Sequence, residues 1–258
     1  MAPPLRAAEW RILQPVPEGV PAALARHPKL GAPAGRWEYR DGAGRVLGHV
    51  CRFTMPDGSK EIRSLVFVGH RKWGQQWRWL GFPKPRPLYG LDRLAARPGA
   101  PVIVTEGEKA ADAAGALLSG HIAVTSPGGS KAAKAADWSA LAGRKVTIWP
   151  DADDPGQAYA RAVADILAKL SPAPAVAIVK PPEGVAEGWD AADARAEGRA
   201  PSQVAELVAR AVPVGGESAA TSRSGRPATR ELLLDLLDEA ELWHDPECIV
   251  YATVDVDG

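Results

Sequence analysis

Between residues 101 and 156 the chain alternates short apolar runs with alanine-rich segments, and that alternation leaves few folds open. Val102-Ile103-Val104 leads into Thr105-Glu106-Gly107-Glu108-Lys109, and an alanine-rich segment follows over 110–118. Ile122-Ala123-Val124 leads into Ser126-Pro127-Gly128-Gly129, and a second alanine-rich segment follows. Val146-Thr147-Ile148-Trp149 then runs through Pro150 into Asp151-Ala152-Asp153. Apolar runs of strand length separated by helical segments predict βαβ units, hence an α/β fold with a parallel sheet flanked by helices. In such sheets ligands bind at the edge formed by the carboxyl ends of the strands. Glu106 follows the first of these strands, and Asp151 and Asp153 follow the third, so the spacing predicts that three carboxylates converge.

Converging carboxylates repel one another, and they stay ionised near neutral pH only with a cation to offset the repulsion. Hard oxygen donors suit Mg²⁺ or Mn²⁺, bound through a few carboxylates, water and substrate phosphates. Asp151 and Asp153 are two residues apart, which in extended backbone sends both side chains to one face. Helix capping competes with this reading: Asp151 before a helix near Pro155, and Glu106 before one near Glu108. Lys109, within one turn of Glu106, reaches a phosphate or is an exposed helix lysine. Gly128 and Gly129, with Lys131 after them, offer backbone N–H groups and a cation to a nucleotide. No Gly-x-x-x-x-Gly-Lys-Ser/Thr stretch occurs, so a phosphate-loop NTPase is excluded within these residues.

The segment 105–113, Thr-Glu-Gly-Glu-Lys-Ala-Ala-Asp-Ala, resembles the glutamate motif of the Toprim domain. That domain is shared by bacterial DNA primases, type IA and type II topoisomerases and the overcoming-lysogenisation-defect nucleases. Trp149-Pro150-Asp151-Ala152-Asp153-Asp154-Pro155-Gly156 resembles its Asp-x-Asp motif in the primase form, with Pro155 where many primases carry alanine. The resemblance covers about residues 98–195, and what surrounds it is similar to prophage and plasmid-type primases. It implies a Toprim-type sheet, with Glu106, Asp151 and Asp153 as metal ligands and Glu106, Asp151, Asp153 and Lys109 in catalysis. Gly188-Trp189-Asp190 resembles the third acidic element in degenerate form, which adds Asp190, and more weakly Asp193, as metal ligands or helix caps.

The total charge balances, with 31 Lys and Arg against 31 Asp and Glu, but the distribution does not. Residues 36–97 carry 13 basic residues against 5 acidic ones, the usual footprint of a nucleic-acid face. They read as a small β-rich unit, with turns at Asp41-Gly42-Ala43-Gly44 and Met55-Pro56-Asp57-Gly58. Arg63, Arg71, Lys72, Trp77, Arg78 and Lys84 are its candidate nucleic-acid contacts. Interleaved Arg and Trp hold phosphates and stack on unpaired bases, while the tryptophans equally fit a sheet core. In related primases such a unit and the Toprim domain wall the template groove, and this layout is similar.

The remaining boundaries follow from composition. Residues 1–35 form a proline- and alanine-rich arm with one short helix, 98–211 the Toprim-type domain, and 212–229 a flexible Gly/Ser/Ala/Pro linker. Residues 230–258 regain a helix reaching Trp243 and a strand over 249–256, the start of a further domain. Two distant cysteines, Cys51 and Cys248, supply no zinc pair, and no stretch is apolar enough for a membrane span. The expectation is a cytoplasmic enzyme that uses nucleoside triphosphates and Mg²⁺ or Mn²⁺, without zinc, to synthesise RNA primers on single-stranded DNA. A helicase or ATPase domain, in the same full-length protein or in trans, is the expected partner. Alternatives are a Toprim nuclease and a non-catalytic DNA-binding module.

Overall fold

Four β-strands and four α-helices between residues 98 and 210 carry the predicted alternation into three dimensions. The computed structural model describes residues 10–23, 26–214, 241–244 and 250–253, with backbone alone for Ser130, Lys131 and the last two segments. In the N-terminal part, β1 (Trp10–Ile12), β2 (Gly35–Arg40), β3 (Val46–Thr54), β4 (Lys60–His70) and β5 (Gly74–Arg78) form an antiparallel sheet, with β1 and β5 both paired to β4. The two turns fall where their Gly residues predict. Gly44 and Gly58 adopt φ of +80° and +81°, and Asp41 Oδ1 accepts from the N–H groups of Ala43 and Arg45 at 2.9 Å. In the described part of the arm β1 stands where a helix was expected, because Trp10 and Ile12 gain ladder bonds to His70 and Val68 while packing on the sheet's core; residues 1–9 lie outside the described residues.

After α1 (Leu91–Ala96) come β6 (Val102–Thr105), α2 (Glu108–Leu117), β7 (Ile122–Val124), β8 (Lys145–Trp149), α3 (Asp154–Leu167) and β9 (Ala175–Ile178). Next are α4 (Ala191–Ala196), α5 (Pro201–Ala209) and β10 (Val212–Pro213). The sheet order is β10-β9-β8-β6-β7, parallel except for β10. Period-two alternation sends Val102 and Val104 to one core with Ile148, Val163 and Leu167, and Ile103 to the other with Trp149 and Trp189. The buried alanines of α2 let that helix lie close against α4.

Three expectations are corrected. The second alanine-rich segment forms 3₁₀ turns at Ser130–Ala135 and Ser139–Leu141 rather than an α-helix. Its backbone pairs instead with the preceding connector: Arg86 N–H donates to Ala135 O at 2.7 Å and Asp137 N–H to Arg86 O at 2.8 Å. Val212 and Pro213, assigned to the linker, pair with Ile178 and Ala177 and finish the sheet; residues 215–229 lie outside the described residues. In the separate unit Gly216–Gly258, the helix expected to reach Trp243 gives way to β11 (Glu241–His244), antiparallel to β12 (Val250–Thr253), while residues 230–240 lie outside the described residues. Among the described residues, no helix is long and apolar enough to cross a membrane.

Candidate active-site cleft

Three acidic motifs meet at the carboxyl edge of the parallel sheet because buried polar contacts hold their loops. Thr105 closes β6, and its carbonyl accepts from Thr125 Oγ1 at 2.8 Å and from Tyr159 Oη of α3 at 3.2 Å, which pins the backbone directly before Glu106. The Asp-x-Asp loop and the Gly188-Trp189-Asp190 loop are tied by their backbones: Ala152 N–H donates to Trp189 O at 2.9 Å and Gly188 N–H to Ala152 O at 3.2 Å. Trp189 is buried against Trp149 and donates from Nε1 to Glu197 at 2.9 Å, so it anchors the loop carrying Asp190.

A cleft of about 290 Å³ opens over this edge, lined by Glu106, Asp151, Asp190, Asp193 and Lys109 with Gly128 and Gly129 on the side of the parallel sheet. Burial and the charges of Glu106, Asp190 and Asp153 push the Asp151 carboxyl up to about 7, with Lys60 opposing. Burial also raises Asp190, against the backbone N–H groups it accepts and the charge of Lys109. Among the described residues, no three carboxylate, histidine or cysteine side chains are close enough to cage a metal ion. The convergence is therefore looser than the four-ligand set Glu106, Asp151, Asp153 and Asp190. Asp153 is the helix cap: its Oδ1 accepts from Gly156 N–H at 2.7 Å at the start of α3, a role the sequence reading offered to Asp151. Asp190 likewise caps α4, accepting from Ala192 N–H at 2.6 Å and Asp193 N–H at 3.0 Å, and Asp193 completes the capping box. Mutually repelling oxygen donors, with the Asp151 and Asp190 carboxyls both raised, fit a hard cation that keeps most of its water and takes one or two protein carboxylates.

Residues that sequence reasoning missed form the opposite wall. Trp37, Arg52, Lys60 and Ile62 share one face of the N-terminal sheet, where Arg52 lies opposite Ile62, and all four line the cleft. Two buried contacts seat this face on α2. Tyr39 Oη donates to Glu108 at 2.7 Å, while Asp112 accepts from Trp37 Nε1 and Tyr89 Oη, both at 2.8 Å. The only signal in the sequence was alternation along β2, which puts Trp37 and Tyr39 on one side. Asp112→Ala strands both donors, and hydrogen bonds to a charged group contribute about 1.5–3 kcal/mol each. The expected loss is about 2 kcal/mol in urea unfolding, and an unchanged midpoint would remove Asp112 from the account of how the sheet is seated.

The expected nucleic-acid residues divide. Arg63 lies opposite Cys51 and Trp77 opposite Phe67, on the sheet face turned away from the acidic cleft, and Arg63 is paired with Glu61. Arg71 and Lys72 follow the far end of β4, about 33 Å of strand from Lys60 at ~3.3 Å per residue. Arg78 lies over the Trp10 ring at 4.3 Å, and Lys84 is exposed in the connector. None of these six lines the cleft among the described residues. The Gly turn does reach it. Gly128 has φ of +105°, and an added Cβ would meet Arg86 Nη1 at 2.9 Å. The Lys131 side chain lies outside the described residues.

No known protein-family model matches the sequence, and no curated protein matches it. Among solved structures, it is similar to the RNA polymerase domain of Mycobacterium tuberculosis primase DnaG in complex with double-stranded DNA. That match has 23% identity and a TM-score of 0.43, covering 69% of this chain and 53% of that one. The E. coli primase catalytic core matches at 21% identity and a TM-score of 0.45, covering 69% and 52%. The primase fragment of the bacteriophage T7 primase-helicase matches at 18% and 0.42, covering 67% and 61%. The chain thus spans between half and two thirds of each of these structures, and with TM-scores below 0.5 the likeness adds nothing to the geometry of the cleft.

Proposed function

We propose that this chain is the catalytic portion of a DNA primase, which joins nucleoside triphosphates into short RNA primers on single-stranded DNA. The observation that carries the reading is the pairing of opposite charges across one cleft. Glu106, Asp151 and Asp190 stand at the sheet edge, with Arg52, Lys60 and Lys109 around them. Triphosphate chemistry needs both: acids to hold Mg²⁺ or Mn²⁺, and cations to neutralise phosphate oxygens. Glu106, Asp151 and Asp190 would hold the cation, with Asp153 stabilising the loop through its cap. When bound, the cation supplies orientation of the triphosphate and stabilisation of charge on the transferred phosphoryl group.

In this reading Lys60, Arg52 and Lys109 bind the phosphates, and the backbone of Gly128 and Gly129 permits close approach. The exposed face of Trp37 and Ile62 bounds the space for a base. A primer hydroxyl then attacks the α-phosphorus, forming the phosphodiester and releasing pyrophosphate. The setting is replication of the phage or plasmid type, with a helicase or ATPase domain as partner, by resemblance of the motifs.

The test is synthesis on single-stranded DNA with labelled nucleoside triphosphates and Mg²⁺ or Mn²⁺. Template-dependent oligonucleotides from the wild type, absent with Glu106→Ala, are the expected result. Template degraded without new products would replace the reading by a nuclease. DNA binding with no chemistry under either metal would leave a binding module.

A further inference from the structure

The N-terminal sheet has a second face, and the chain has built a groove on it. Residues 13–23 cross this face as a strap held at several points. Leu13 N–H donates to Phe67 O at 2.9 Å and Val16 N–H to Val46 O at 2.7 Å. Trp77 Nε1 donates to Pro21 O at 2.9 Å, and Arg36 donates to Ala23 O at 3.1 Å. Between strap and sheet lie two adjoining cavities of about 620 and 420 Å³, which share Pro21, Ala22 and Trp77. The larger is walled by Phe67, Trp77 and Trp79 with Arg26, and among the described residues no carboxylate lines it, whereas Glu18 and Glu38 line the smaller.

One buried donor in these walls is unmet. His49, 2% exposed, lines the smaller cavity; Arg36 donates to its Nε2 at 2.9 Å, which leaves the proton on Nδ1, and that atom is buried without a partner. Burial and the charges of Arg36 and Arg40 hold the His49 ring down to about 4, so it is neutral at physiological pH and offers one N–H. Arg36 is engaged by Ala23, Arg40 by Glu38 and Arg45 by Asp41, and Arg78 lies over the Trp10 ring on the sheet's other face, which leaves Arg26 as the cation open to a ligand among the described residues that line the groove. Aromatic walls, the unpaired Arg26 and the unmet His49 N–H match a ligand with flat rings and acceptor oxygens.

We infer that this outer groove is a second site for single-stranded DNA, in which bases pack against Trp77 and Trp79 while phosphates meet Arg26. Stacking with arginine contact holds single strands with little sequence preference, over roughly 4–16 nucleotides for comparable modules. The site lies on the face opposite Lys60 and Ile62 and does not depend on the chemistry of the acidic cleft.

The test uses the full chain and oligothymidylate carrying 5-iododeoxyuridine. After irradiation, crosslinked peptides containing Trp77 or Trp79 are expected, in Asp151→Ala as in wild type. By anisotropy, Arg26→Glu should weaken binding about tenfold, the scale of one lost stacking or charge contact. Lys169→Glu, the same charge reversal at an exposed residue just past the end of α3, should change it less than twofold. Because Arg26 is exposed, its reversal leaves the fold intact, which a matching melting curve checks. Crosslinks confined to Trp37 and its neighbours on the cleft side would overturn the inference, and so would an affinity indifferent to Arg26→Glu. Loss of primer synthesis alone would remove the proposed enzyme and leave this site standing.

Discussion

Gly156→Ala should reduce primer synthesis at least a hundredfold and destabilise the fold, although residue 156 never touches a substrate. It is the glycine that closes Asp151-x-Asp153-x-x-Gly156, inside the first turn of α3. A Cβ built there would stand 2.4 Å from the carbonyl oxygen of Asp151 and 2.9 Å from its nitrogen. Those are backbone atoms of the loop that carries the central carboxylate, and a side chain cannot turn aside to relieve the overlap. Either α3 withdraws, which disturbs Tyr159 and its bond to Thr105, or the Asp151 loop moves. Overpacking of this kind costs roughly 1–3 kcal/mol, and displacement of a reacting group by about 1 Å costs on the order of a hundredfold in rate. Urea unfolding and initial rates measure the two effects. Gly120→Ala serves as the control, since nothing lies within 4 Å of its added Cβ. Wild-type rates in Gly156→Ala would mean that Asp151 has no positional role.

Asp151→Asn should abolish synthesis and yet raise the melting temperature of the cation-free protein at pH 8 by several degrees. The folded state holds the Asp151 proton up to about pH 7, against an ordinary value of 3.8, through burial first and then repulsion from Glu106, Asp190 and Asp153. Between pH 4 and 7 the folded chain thus binds more protons at this site than the unfolded chain does, so its stability falls as pH rises through that window. Above pH 7 the whole penalty is present, and the neutral amide removes it. The gain from Asp151→Asn should accordingly be large at pH 8 and vanish toward pH 4. Added Mg²⁺ or Mn²⁺ should raise the wild-type melting temperature at pH 8 more than that of the variant, because the cation offsets the same repulsion. Equal melting of both proteins at pH 8 would show that the Asp151 charge carries no penalty from burial or from its acidic neighbours.

The legible part of this chain was whatever depends on neighbours in sequence. Val102, Ile103 and Val104 read as a central parallel strand because a strand buried on both faces must be apolar at every position, and they lie in the middle of the sheet. The turn glycines were legible because only a few residues tolerate their backbone angles. Strand ends in a parallel sheet share an edge, so the meeting of Glu106 and Asp151 followed from order alone. The alanine-rich segment after Gly129 misled, since high helix propensity was overridden by backbone pairing with the connector at Arg86.

What the sequence determined by itself was the order of elements, the acidic edge and the excess of positive charge in the β-rich unit. Which side chain does what was settled by tertiary contact. A carboxylate two residues from another became a helix cap, because α3 starts beside Asp153 and offers it the Gly156 N–H. Net local charge said nothing of direction: register places Lys60 and Arg52 toward the acids and Arg63 and Trp77 away from them. Period two gives a strand two equivalent faces, and only the sheet's seating on Glu108 and Asp112 decides which one meets the cleft.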